Sequence, residues 1–285
     1  MSSEQALYIV ATPIGNRDDI STRAVEILHQ VDRIYVEDTR HSQSLLRHHG
    51  INTRLKPLHE HNEQSQIEAI ISHLQSPATA ALISDAGTPL ISDPGFKLVR
   101  ACQQAGIRVS PIPGACALTA ALSVCGMPSD RFEFFGFVPS RSGARKALFG
   151  SLAQVSHTMV FYEAPHRIVD CMRDIVGEFG SERPMSVARE LTKRFETILF
   201  GNAESVLADI EEDNNQQKGE FVVIVGGQLE NNTVLSSIDA TAVDKMLGVL
   251  LQQLPAGSAA RCVAEIQGVS KKLVYQRALA LQGKQ

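Results

Sequence analysis

The sequence predicts an α/β protein. It has two α/β domains, the first on a mainly parallel sheet and the second on a mixed one, with a small helical C-terminal extension. Three observations lead there. Short apolar runs alternate with amphipathic helical stretches through the first 112 residues, the pattern of βαβ units and a parallel sheet. Two strand-like runs, 184–190 and 195–200, are joined by only a short turn, which requires an antiparallel pair. Beyond residue 234 the text turns wholly helical. At 285 residues the chain has the length for about two domains.

The elements follow in order. The apolar run 7–11 leads into the loop TPIGN, and Ala24, Ile27, Leu28 and Val31 mark one face of a helix. RIYVED at 33–38 reads as a strand, a short helix ends at Gly50, and 51–58 reads as the next strand. Residues 62–75 form an amphipathic helix through Ile67, Ile70, Ile71 and Leu74. The run 79–84 is a strand, the helix after it ends at Ala105 with Gly106 at C′, and 107–112 closes the series. A helix over 115–125 bridges to the second unit. Strands there are expected at 132–138, 158–163, 184–190, 195–200 and 220–226, and helices at 142–154, 166–179 and 203–211. The polar stretch 211–220 reads as a solvated loop, its last two residues excepted. Residues 227–234 have the composition of a linker. In 258–281 one helix runs to Gln267, Gly268 makes a turn and Ser270 caps a second helix, with Val263, Ile266, Val269, Leu273 and Val274 as apolar contacts. This is a helix-turn-helix layout. The domain boundaries expected are 6–117, 118–228 and 235–285.

Composition narrows the function classes. The chain is 44% hydrophobic and 20% charged with net charge −4, so any nucleic-acid partner must be met by local basic patches. The tail is one such patch: from Gly257 onward Arg261, Lys271, Lys272, Arg277 and Lys284 face a single acid, Glu265. A packing appendage with a solvated basic face is the rival reading. The five cysteines form no C-x-x-C pair, which favours a reducing compartment without disulfides or a zinc site. The N-terminal MSSEQALYIV shows no leader pattern, and the most apolar run, 115–127, is too short for a bilayer span. A cytoplasmic protein with no membrane partner is expected.

The stretch LISDAGTPLISDPG at 82–95 contains I-S-D-x-G twice. The first copy ends a strand, and in open α/β sheets that edge binds ligands. Gly87 lets backbone approach a ligand, and Thr88-Pro89 stiffens the turn. The second copy precedes a helical pattern, so Asp93 is expected as an N-cap with Pro94 at N1. The loops TPIGN and IPGACA fall on the same edge. Together they suggest a pocket for a nucleotide-like ligand. Neither G-x-G-x-x-G nor a P-loop motif occurs, which weakens a nicotinamide-dependent oxidoreductase.

YIVATPIGN, EDTRHS, LHEHNE, LISDAGTPLISDPG, IPGACA, FYEAPHR, ARELTK and KGEFVVIVGG, in this order, resemble the ribosomal RNA small subunit methyltransferase I family of the tetrapyrrole methylase superfamily. The resemblance covers nearly the whole chain. It implies a tetrapyrrole methylase-like pair of α/β domains with S-adenosylmethionine in the cleft between them. It also implies 2′-O-methylation of a cytidine ribose in the decoding region of 16S ribosomal RNA, carried within the small ribosomal subunit, and a homodimer.

Carried onto this sequence, the resemblance implies cofactor contacts from Pro13, Gly15, Asp85, Ala86, Gly87, Thr88, Ser92, Pro113, Gly114, Ala115, Tyr162 and Glu163. Ala115 stands where a proline is equally expected. A ribose hydroxyl must lose a proton during transfer. Glu163, Glu190 and Lys193 are the candidates to assist, with His166 beside them; each acid has a structural ion pair with Arg167, Arg189 or Lys193 as its rival role. RNA contacts are expected from Arg40, His41, Arg141, Arg145, Lys146, Arg167, Lys271 and Lys272, because clustered cations grip phosphates. No metal is expected, since His59 and His61 sit beside a helix start and methyl transfer needs none. Two other substrates or roles stay open: a small tetrapyrrole-like molecule, or RNA binding without catalysis.

Overall fold

The computed structural model describes residues 5–228, 240–267 and 271–282, without the side chains of 240, 241, 272, 273 and 282. These fall into two compact units, one up to Gly227 and one from Gln228.

The first unit holds two five-stranded sheets. In the first, β1 (Ala6–Val10), β2 (Arg33–Val36), β3 (Leu55–Pro57), β4 (Thr79–Ile83) and β5 (Arg108–Ile112) lie in the order β3-β2-β4-β1-β5. Every pairing is parallel. Both faces are buried, as a parallel sheet demands. On β4, Ala81 and Ile83 pack towards α1 (Thr22–Gln30) and α2 (Thr39–His48). Ala80 and Leu82 pack towards α3 (Glu63–Gln75) and α4 (Phe96–Gln104). The expected strand over 51–58 shrinks to β3.

The helix α5 (Ala117–Val124) leads into the second sheet. Its strands are β6 (Phe132–Phe137), β7 (Thr158–Glu163), β8 (Pro184–Arg189), β9 (Thr197–Asn202) and β10 (Phe221–Val225), in the order β6-β7-β10-β8-β9. β6 and β7 are parallel and the other pairings antiparallel. The sheet is therefore mixed, as expected, although β9 starts two residues later than the sequence suggests. One face packs on α6 (Ser142–Leu152), α7 (Ile168–Phe179) and α8 (Ala203–Glu212) through Phe149, Phe161, Ile175 and Val206. The other packs on α5 through Leu118, Val160 and Ile224.

The expected cap of α4 is a correction. The helix begins at Phe96, its N-cap is Gly95 and no side chain of that cap bonds to it. The carboxylate of Glu63, buried at the start of α3, instead accepts a 3.0 Å hydrogen bond from Leu98 N–H in the first turn of α4. A carboxylate there satisfies an orphan amide and complements the helix dipole. Asp93 is thereby released from capping.

The second unit has α9 (Ala240–Leu250), α10 (Ala256–Gln267) and α11 (Lys271–Gln282) around Val243, Leu247, Ala260, Val263, Val274 and Ala278. Ile266, expected as an apolar contact, is 68% exposed. Gly268, Val269 and Ser270 lie outside the described residues, as do the side chains of Lys272 and Leu273. No described helix is long and apolar enough to cross a membrane.

Phe161 is 1% exposed, stacks on Phe135 at 5.0 Å and meets Phe149 edge-on at 5.5 Å. Phe161→Ala should destabilise the first unit by about 3–5 kcal/mol, read as a lowered denaturant midpoint by circular dichroism.

Candidate active site

Three loops at the carboxyl edge of the first sheet are tied to one another. After β1 and β4, Thr12 N–H donates to Gly87 O (2.8 Å) and Gly87 N–H donates back to Thr12 O (3.0 Å). The Thr12 hydroxyl also donates to Ser84 O at 3.2 Å. The Thr88 hydroxyl donates to Ala115 O at 3.0 Å, joining the loop after β5. Gly87 turns at φ +79°, a conformation that costs other residues about 1–2 kcal/mol.

The first loop also reaches the turn after β8. A Cβ on Gly15 would lie 2.5 Å from Lys193 Cγ and 2.9 Å from Leu191 O, so only glycine permits this approach. Asn16 N–H donates to the Thr192 hydroxyl at 3.0 Å across the same seam.

A cavity of about 430 Å³ opens between the sheets, a size suited to a small-molecule ligand. Asp85–Thr88 and Ile91–Asp93 form one wall; Phe137, Tyr162, Ala188 and Leu191 stand opposite. Four carboxylate residues line it, Asp85, Asp93, Glu163 and Glu220, and no lysine, arginine or histidine does. A second hollow of about 490 Å³ shares Ile14, Asp85, Ala86 and Glu220 with it. This one carries Arg17, Arg40, His41 and Lys193. All four non-glycine residues with positive φ among the described residues, Leu90, Ser92, Glu190 and Thr192, lie in the two loops that bound these spaces.

Most cofactor candidates converge. Asp85, Ala86, Gly87, Thr88, Ser92, Tyr162 and Glu163 line the cavity, and Pro13 and Gly15 line the adjoining hollow. Pro113, Gly114 and Ala115 line neither, but Ala115 supports Thr88 from behind. The Tyr162 hydroxyl accepts from Leu118 N–H at 3.1 Å, and burial raises the phenol above its ordinary range.

The catalytic candidates need correction. Glu163 lines the cavity, but its side chain is 0% exposed and its Oε1 lies 2.6 Å from Arg167. Strand alternation places it on the side of Met159 and Phe161, towards Cys171 of α7, whose thiol it pushes up after burial has done so. Glu190 Oε1 accepts from Lys193 Nζ at 2.7 Å and from Glu220 N–H at 3.0 Å. Burial opposes its charge, yet these bonds outweigh it and hold the carboxyl below the usual range. Burial likewise disfavours the Lys193 ammonium, and its bonds to Glu190 and Glu220 more than restore it, raising its pKa. All three are thus paired ions, the structural role weighed against catalysis for the two acids. His166 is exposed.

Asp93 is a site residue that the sequence does not single out. It faces the cavity, half-buried, and burial pushes its carboxyl up to about 6, with Glu37 and Asp85 adding to the effect and a Ser84 hydrogen bond opposing it. Phe137, 59% exposed on the bulged end of β6, and Arg17 escape sequence reasoning too. Arg17 directly follows TPIGN, a position that could have flagged it.

The RNA candidates separate by environment. Arg40 is 91% exposed and lines the basic hollow with His41. Arg141 and Lys146 are exposed at the start of α6, Lys146 lying 3.6 Å from Asp174, and Lys271 is exposed on α11. Arg145 is a correction: its side chain is 3% exposed and its Nε donates to Asp174 at 2.7 Å, so it grips a carboxylate of α7 and no phosphate can reach it. Arg167 is paired with the buried Glu163 at 2.6 Å, but its side chain stays 20% exposed. Among the described residues, no group of three or more His, Cys, Asp or Glu could hold a metal ion.

Comparison with known proteins gives the family. The family model for Tetrapyrrole (Corrin/Porphyrin) Methylases matches residues 6–207, and that for the RsmI C-terminal HTH domain matches 237–282. Ribosomal RNA small subunit methyltransferase I of Pseudomonas aeruginosa is 50% identical over 99% of both chains. The chain belongs to the ribosomal RNA small subunit methyltransferase I family. The family's protein from Escherichia coli O157:H7 is 48% identical over 99% of this chain and 97% of its own. In fold, this chain resembles the uroporphyrin-III C-methyl transferase of Thermus thermophilus, solved with S-adenyl homocysteine. That likeness has a TM-score of 0.53 at 17% identity and covers 78% of this chain and 97% of that one.

Arg145→Ala would take from buried Asp174 its close guanidinium partner, leaving it the Ser142 hydroxyl at 3.0 Å and the half-exposed Lys146 at 3.6 Å. Urea unfolding should show a loss of about 3–5 kcal/mol, while RNA affinity measured well below the unfolding midpoint stays within twofold.

Proposed function

We propose that this protein is an S-adenosylmethionine-dependent methyltransferase that 2′-O-methylates the ribose of a cytidine in the decoding region of 16S ribosomal RNA. The observation that carries the reading is the pair of adjoining chambers of opposite charge. The cation-free cavity with its carboxylates suits a ligand that bears an ammonium and a sulfonium, and would repel a nucleotide phosphate. The hollow with Arg17, Arg40, His41 and Lys193 suits a polyanion. The family supplies the nature of that polyanion, and by the same inference the substrate form is the small ribosomal subunit and the enzyme a homodimer. The methyl donor would lie between domains 6–117 and 118–228, with 235–285 as an RNA-binding extension.

The residues fit S-adenosylmethionine. Gly87, at φ +79° and without a Cβ, presents bare backbone to the cavity, and Ala86 and Ala188 keep its walls close. Ile91, Phe137 and Leu191 offer apolar surface for a base, and Asp85 and Glu220 offer acceptors for an ammonium and for hydroxyls. When bound, the group supplies a methyl already activated by a positive sulfur. What the protein adds is alignment, and displacement of water from the line of transfer. The attacking hydroxyl must also surrender its proton. Asp93, in the cavity wall with a carboxyl near pKa 6, takes that proton on its carboxylate in place of Glu163, Glu190 and Lys193, which are paired elsewhere.

Small subunits purified from cells lacking the protein should accept labelled methyl from it, with the label on a 16S ribose. No incorporation, or label on a base, defeats the proposal. A tetrapyrrole substrate would show the reverse preference, and a non-catalytic RNA binder would produce no heat with S-adenosylmethionine.

Asp93 must be ionised to act, so the single-turnover rate should fall below pH of about 6 and level off above it. Asp93→Asn should lower that rate on the order of 100-fold and remove the acid limb, with cofactor affinity kept within a few fold. An acid limb that survives in the variant assigns the proton to another group. Gly87→Val, which fills the approach path next to Ile14 Cγ2, 3.3 Å from the added Cβ, should abolish calorimetric binding of S-adenosylmethionine while the far-ultraviolet circular dichroism is kept.

A further inference from the structure

The basic hollow does not end at the active site. A third hollow, of about 400 Å³, continues from it over the outer face of α2, sharing Arg17, Arg40 and Ser44. Its remaining lining is Gln43, Arg47 and His48. No carboxylate residue lines it. Arg40, Ser44 and Arg47 recur at helical spacing, so they form one stripe along α2. From Arg40 to Arg47 the helix rises about 10 Å, enough to address more than one phosphate of a chain.

The cations of this stripe are free to bind. Arg17 Nη2 donates to the Ser44 hydroxyl at 3.2 Å, which points it along the stripe. Arg40 has only an exposed contact with Asp38 at 3.4 Å, worth little in water. Among the described residues, no carboxylate pairs with Arg17 or Arg47. Asp85 and Glu220, which border the inner hollow, are absent from the outer one. A gradient results, from carboxylates at the inner cavity to unopposed guanidinium groups on α2.

We propose that Arg40, Arg17 and Arg47, with Arg17 at Ser44 between the other two, form a phosphate track that carries the RNA backbone across α2 and delivers one nucleotide to the cavity. The inference rests on the reading of the substrate as RNA and adds where its backbone runs. Recognition is of the sugar-phosphate chain and not of base edges, because the stripe offers charged and hydroxyl donors on a convex helix face. Arg17 stands at the junction of the two hollows and Arg47 at the far end. Arg40 and Arg17, which line both hollows, therefore hold the phosphates nearer the target nucleotide, and Arg47 anchors the strand further out.

The test compares the full-length protein, Arg17→Ala/Arg47→Ala and a charge-matched control, Lys97→Ala/Arg100→Ala on the exposed side of α4. Affinity for a single-stranded oligoribonucleotide is measured against salt concentration. Each phosphate deprived of its guanidinium should lower the log–log slope by about 0.7. The first double variant should therefore bind with a slope shallower by about 1.4, twice that figure, and the control with the native slope. S-adenosylmethionine affinity by calorimetry should be equal in all three proteins, which also shows that the cavity is folded. An unchanged slope in Arg17→Ala/Arg47→Ala, or an equal reduction in the control, overturns the track while leaving the methyltransferase reading intact. Failure of the native protein to bind RNA at all overturns both.

Discussion

The site depends on one reciprocal pair of backbone hydrogen bonds, Thr12 to Gly87 and back. β1 and β4 are parallel neighbours, and past their ends nothing in the ladder obliges the chains to stay together. The pair extends the contact beyond the sheet and turns it antiparallel. It does so because Gly87 adopts a left-handed φ, which only glycine takes at little cost. With the two loops joined, the first is aimed so that Gly15 meets the turn 191–193 and Asn16 bonds Thr192. The second sheet's contribution to the cavity is thus registered against the first through the same loop.

That registration separates charge over a short distance. Asp85 and Glu220 lie on the boundary of both chambers, with carboxylates on one side and cations on the other. Lys193 sits at the boundary, and its ammonium is pinned between Glu190 and Glu220. These bonds raise its pKa, so it remains a fixed positive charge through neutral pH. On the proposed function, a cationic methyl donor and an anionic acceptor are each drawn to their own side. A base that opposes neither must sit among the carboxylates and be only weakly held in its charged form. Asp93 meets that requirement because burial disfavours its charge, its neighbours Glu37 and Asp85 repel it, and only Ser84 supports it.

Much of this is legible in the sequence. Strand ends followed by TPIGN, DAGTP and IPGACA name the three loops, because glycine and proline at the end of an apolar run leave few other readings. What is not legible depends on residues far apart in the chain. The local text D-P-G before a helix is a sound capping signal, but Glu63 from α3 occupies the capping role at Leu98. Likewise R-S-G-A-R-K reads as a basic surface, yet Arg145 turns inward because Asp174, on the neighbouring helix α7, needs a partner. Lys146 and Arg141 carry the same residue chemistry and stay outside. Helical phase decides between them, and the sequence shows phase only when the partner helix is known.

The repeated I-S-D-x-G now has a single physical account. The second copy does not begin the helix; the chain folds back so that Asp93 joins Asp85 on the same wall. The reversal requires Leu90 and Ser92 to adopt φ of +73° and +66°, at a cost of order 1–3 kcal/mol each. Glu190 and Thr192 bear the same kind of strain across the cavity. A fold that needed Asp93 only to cap α4 would have no reason to hold two strained residues ahead of it, since Glu63 already supplies the cap. The strain is accounted for if its product, a carboxylate inside the cavity with a weakened hold on its charge, is what the site uses.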